Sequence, residues 1–171
     1  GLSLGSQNTL SLSNAIASPG DIISCTYSVD DGQSSNSTSA VVYVSNTGPT
    51  ITDVLITPQG ATIDTLLTCS MTVDDPDQQG FTESYVWTNS TSGLALGTGS
   101  TLLIDSTLAS PLDEIECTAT ATDPSGATGN ATNSISLLNQ DPLVNSITFS
   151  DSSPLVGDTI TCIPDAVDPD D

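Results

Sequence analysis

The chain contains no lysine, no arginine and no histidine. Against that absence stand 21 Asp and Glu residues, which give a formal charge of −21. Phosphate backbones are bound by neutralising them with Lys or Arg, so nucleic acid is not an expected partner. An anionic membrane surface is excluded on the same ground. No carboxylate can meet a cationic side chain within the molecule, and its countercharge must come from solvent cations or from a partner. The same gaps remove Schiff-base lysines, histidine general bases and histidine metal ligands. The many serines have nothing to activate them. The carboxylates sit in turns or on wet strand faces rather than as an acid–base pair. The chain is therefore expected not to be an enzyme. Aromatic residues are only 4% of the total, so a core must be built mostly from Val, Ile, Leu and Ala. No apolar run approaches the length of a membrane-spanning helix.

What the sequence does have is repetition. Gly1-Leu-Ser-Leu-Gly5 matches Gly93-Leu-Ala-Leu-Gly97, and Ala17-Ser-Pro19 matches Ala109-Ser-Pro111. Asp21-Ile-Ile-Ser-Cys25 matches Asp113-Glu-Ile-Glu-Cys117, 92 positions on. Asn46-Thr-Gly-Pro49 matches Asn139-Gln-Asp-Pro142, and Cys69 lies 93 positions before Cys162. Asp75-Pro-Asp77 returns as Asp168-Pro-Asp170. This divides the chain into the C-terminal half of one repeat (1–45), a complete repeat (46–138) and the N-terminal part of a third (139–171). The expectation is an excerpt of a longer array. The alternative is that one chain's tail completes the next chain's head, with Cys162 bonded to a neighbour's Cys25. Such a joint lacks the segment equivalent to 79–92, which carries Trp87.

Within the complete repeat, strands are expected at Thr50–Thr57, Thr65–Val73, Ser84–Thr88, Leu94–Gly97, Thr101–Ile104, Asp113–Thr122 and Asn130–Leu138. Leu67, Cys69, Met71 and Val73 alternate with Leu66, Thr68, Ser70 and Thr72. Ile115, Cys117, Ala119 and Ala121 alternate with Glu114, Glu116, Thr118 and Thr120. A period of two with one polar face means antiparallel sheets with one side in water. No segment has a helical period. About seven strands in about 93 residues is the size of a β-sandwich. Both cysteines fall on inward faces, so Cys69 and Cys117 are expected to bond across the core, the other reading being two buried thiols. Closing a loop of about 49 residues contributes roughly 4 kcal/mol in the chain-entropy model. Such a bond implies an oxidising, extracellular compartment. By the same logic Cys25 and Cys162 pair with cysteines outside this segment.

The order Cys69, Trp87, Cys117 resembles the Cys…Trp…Cys signature of immunoglobulin-like domains, and the likeness implies that Trp87 packs in the core on the disulfide. Asp113-Glu-Ile-Glu-Cys117 is similar to the Asp-x-x-x-Cys approach of that family. Ile115 stands where antibody-type domains have their corner Tyr. The Asp-Pro-Asp loop with Tyr85-Val-Trp87 resembles the polycystic-kidney-disease-type and related Ig-like repeats of large microbial surface proteins. The resemblance implies an all-β fold of tandem Ig-like antiparallel sandwiches with one intersheet disulfide per repeat. It implies little about function, because this fold hosts many roles.

Two kinds of candidate site accompany the fold. Asp74, Asp75 and Asp77, with Asp168 and Asp170 in the next repeat, are oxygen donors of the kind Ca²⁺ takes; the other reading is a solvated turn. Asn36-Ser-Thr38, Asn89-Ser-Thr91 and Asn130-Ala-Thr132 are N-glycosylation sequons, expected in loops. Short proline-containing connections between repeats favour a semi-rigid rod. Together these features point to a structural element of an extracellular filament, stalk or surface layer, with neighbouring copies of the same repeat as partners. The second reading is an adhesin segment that binds a cell-surface or glycan partner, in a calcium-dependent form if the acidic turns hold the ion. Exposed aromatics in one loop cluster would support it, but only Phe81, Tyr85 and Trp87 are close in sequence, and Trp87 is assigned to the core.

Overall fold

Val, Ile and Thr fill the alternating segments, and β-branched side chains pack well on a pleated surface. The computed structural model describes residues 1–171, with eleven strands and no helix. Strands β1 (Ile22–Asp30) and β2 (Ser35–Tyr43) form an antiparallel hairpin that sets Cys25 opposite Ala40. Its turn is closed by Asp31, whose Oδ1 accepts the amides of Gln33 and Ser34, while Gly32 takes a φ of 85° that suits glycine.

The next seven strands are β3 (Thr50–Thr57), β4 (Leu66–Asp74), β5 (Thr82–Asn89), β6 (Leu94–Thr98), β7 (Thr101–Leu103), β8 (Glu114–Thr122) and β9 (Thr128–Ser136). They make a three-stranded sheet in the order β3-β4-β7 and a four-stranded sheet in the order β6-β5-β8-β9. All seven expected strands are present, with ends displaced by at most two residues. In constant-type immunoglobulin domains the fourth strand joins the sheet of the first two. Here the corresponding strand, β6, pairs instead with β5, placing Val86 opposite Thr98. Finally β10 (Leu143–Phe149) and β11 (Cys162–Val167) form a second separate antiparallel pair.

The residues group into two compact units, 1–53 with 72–83 and 120–130, and 54–71 with 84–119 and 131–171. The division runs through β3, β4, β5, β8 and β9, each of which gives one end to each unit. It does not follow the repeat boundaries of the sequence.

The second unit holds the main core. Ile56, Leu67, Trp87, Ile104, Ile115 and Leu137 have no exposed surface. Each buried aliphatic side chain of this size contributes about 1.5–3 kcal/mol of transfer free energy. Cys69 on β4 and Cys117 on β8 are bonded, with Cα atoms 6.5 Å apart, so sulfur joins the two sheets. Burial alternates along both strands as the pattern of apolar residues requires. Trp87 lies wholly in this core, and its Nε1 donates to the carbonyl of Gly99 (2.8 Å), which satisfies the one polar group a buried indole carries.

In the first unit the segment leading into β3 lies against the start of β9. A Cβ on Gly129 would collide with the carbonyl of Pro49, and one on Gly48 would come within 3.1 Å of the Ala127 side chain. Gly129 therefore favours glycine because two backbones pass close together.

Candidate functional site

Every cysteine is preceded, four residues earlier, by an oxygen-bearing side chain: Asp21, Thr65, Asp113 and Asp158. Each accepts the amide of the residue three positions before it. The donors are Ser18 (2.9 Å), Thr62 (3.0 Å), Ser110 (2.9 Å) and Leu155 (2.7 Å). Each also returns its own amide to the carbonyl of that same residue. This closed turn sets the start of the cysteine-bearing segment in all three copies, a local device of the kind Asp and Thr support. The Asp-x-x-x-Cys spacing is its trace in the sequence.

A second repeated device lies at the segments that connect the repeats. Oδ2 of Asp77 accepts the amide of Thr47, thirty residues upstream, and Oδ2 of Asp170 accepts the amide of Gln140 across the same separation. In both loops the first aspartate accepts the amide of the second, Asp75 from Asp77 (2.9 Å) and Asp168 from Asp170 (3.1 Å). The carboxylates proposed as calcium ligands thus hold backbone amides. Asp74 is exposed, and no three acidic side chains come together in the arrangement a metal ion needs. Three acceptor oxygens in the first unit, Asn46 Oδ1, Asp75 Oδ2 and Gln79 Oε1, are sealed from solvent without a donor.

Asp123 ties the same region together. It is 5% exposed, and its Oδ2 accepts Nδ2 of Asn46 (2.7 Å) while Oδ1 accepts the amides of Ser125 and Ala127. The Asn46 amide, followed by those backbone groups, holds its carboxyl below the ordinary 3.8, against the opposing effect of burial. Asp31 is lowered by the amides of Ser34 and Gln33, and Asp105 by the hydroxyl and amide of Thr107. Sequence reasoning missed Asp123. Its visible signal was an aspartate at the same place after the cysteine as Asp31.

The flanking hairpins present core residues to solvent. Ile147 and Phe149 on β10 occupy the positions of Val54 and Ile56, yet both are 62% exposed. Tyr27 and Val29 on β1 occupy the positions of Ala119 and Ala121 and are exposed too. Cys25 and Cys162, which match Cys117 and Cys69, are exposed free thiols.

The three sequons separate sharply. Asn36 and Asn130 are exposed, and both lie inside strands β2 and β9 rather than in loops. Asn89 is 1% exposed. Its Nδ2 donates to Asp113 (2.8 Å) and to the Leu108 carbonyl, and its Oδ1 accepts the amides of Thr91 and Ser92. A sugar on this nitrogen would break those bonds inside the core. The alternation Tyr85, Trp87, Asn89 on β5 was the signal that placed it inward.

The aromatics close in sequence to Phe81 divide likewise. Tyr85 and Trp87 are buried, and Phe81 alone is exposed. Two surface concavities lie on the flanking hairpins, one lined by Val29, Asp30, Asp31, Ser34, Ser35 and Asn36, the other by residues around Phe149 and Ile160. Neither a protein-family model nor a curated protein matches the chain.

Proposed function

We propose that this chain is a structural repeat segment of an extracellular filament, stalk or surface layer, without catalytic activity. One observation carries the reading. The residues that build the core of the complete repeat recur on the flanking hairpins with their apolar faces and thiols exposed. Exposed apolar surface of this kind marks a contact with another surface. The shared pattern supports the complementary sheet of a like repeat as that surface. In the array, Cys25 bonds a cysteine on a β4-type strand, and Cys162 one on a β8-type strand. The disulfide of each unit limits how far a pulled chain extends, and the sulfur chemistry fits an oxidising exterior. Repetition with nearest-neighbour contacts gives a body whose length follows the number of units.

Electron microscopy of native material tests this reading. Rods or fibres with an axial repeat of a few nanometres are expected, and compact monodisperse particles would refute it. The alternative, a calcium-dependent adhesin segment for a cell-surface or glycan partner, draws little from the structure, because Tyr85 and Trp87 are enclosed.

A further inference from the structure

Two of the three sequons are open and one is closed, and the inference drawn from this rests on the extracellular reading above. Residues i and i+2 of a strand share a face. On β9, Asn130 and Thr132 therefore stand side by side, and both are exposed. Asn36 and Thr38 repeat this arrangement on β2. Each pair follows a hairpin turn closed by an aspartate, Asp31 or Asp123. The two asparagines thus occupy nearly the same place in successive repeats. Oδ1 of Asn36 accepts the amide of Ser37, and the amide nitrogens of Asn36 and Asn130 have no intramolecular acceptor. In the Asn89 sequon every group is occupied, down to the Thr91 hydroxyl, which accepts the amide of Glu114 (2.9 Å).

We propose that Asn36 and Asn130 carry N-linked glycans and that Asn89 does not. The amide nitrogen forms a bond to the anomeric carbon of an oligosaccharide carried on a polyprenyl phosphate or pyrophosphate. The bond from that carbon to the phosphate oxygen breaks, its electron pair leaves with the lipid phosphate, and one amide proton passes to base. The product is a neutral, hydrated group once per repeat, on hairpins that have no lysine to discourage pairing with another strand edge.

Site mapping of the native protein decides the matter. Trypsin has no cleavage site in this chain, so Asp/Glu-directed and chymotryptic peptides are read by electron-transfer fragmentation. Carbohydrate mass is expected on Asn36 and on Asn130, with Asn89 bare. Bare Asn36 or Asn130, or a sugar on Asn89, overturns the proposal. Bare asparagines in protein recovered outside the cell with Cys69–Cys117 oxidised would overturn the glycans alone. Recovery from a reducing cell interior would overturn the extracellular reading with them.

Discussion

Asp123 shows what one residue does in a chain without cationic side chains. It accepts hydrogen bonds from Asn46, Ser125 and Ala127, and its carboxyl titrates below 3.8. A lowered value in the folded state means stability that is complete above 3.8 and is lost as pH falls through the lower, folded value. Asp123→Asn is therefore expected to unfold a few degrees below the parent at pH 7, with the gap closing below about pH 4. Thermal melts across that range check it, and a gap independent of pH would refute the assignment. Leu112 offers a different test. It is exposed, with a φ of 71°, where the equivalent residue of the preceding repeat is Gly20, with a φ of 88°. Leu112→Gly is expected to stabilise the chain by about 0.5–1 kcal/mol, since relief of the left-handed strain exceeds the entropy a glycine adds to the unfolded state. Denaturant midpoints read this directly. The match of Asp123 to Asp31 was visible in the sequence, but its bond to Asn46, 77 residues away, and the left-handed backbone of Leu112 were not.

Strands were the most legible elements. Alternation in β4 and β8 located the strands, their inward faces and the sulfur bond, because period-two burial is written directly into residue order. The side taken by β6 was not legible: five residues with a mixed pattern fit either sheet equally well, and pairing with β5 decides it. The bonds of the acidic loops were not legible for a related reason. A sequence shows that Asp75, Asp77, Asp168 and Asp170 carry charge, but not that they accept backbone amides. The intersheet bond makes the testable prediction at this scale. Replacing Cys69 and Cys117 together by Ala is expected to lower stability by about 4 kcal/mol, the chain-entropy value for residues 48 apart. Urea unfolding checks the loss. A change below about 1 kcal/mol would show that the buried aliphatic residues and Trp87 suffice without the staple.

For the molecule as a whole, the charge of −21 sets the behaviour. With no positive side chain, every long-range interaction between ionised side chains is repulsive, and compact states gather that repulsion. Added salt is therefore expected to raise the unfolding temperature, most steeply as the Debye length falls from about 30 Å at 0.01 M to about 8 Å at 0.15 M. A scan in NaCl checks it, and a falling midpoint would show attractive ionic pairs that this composition does not provide. Repetition was fully legible at this scale, since copied residues need no geometry to be recognised. The grouping of residues into two units that cut across five strands was not, because it depends on distances in space.

The bonds from Asp77 to Thr47 and from Asp170 to Gln140 have a consequence for descent. Each connecting segment is gripped by the loop that follows it, never by the one before. A duplicated stretch of gene would therefore carry its own fastening with it.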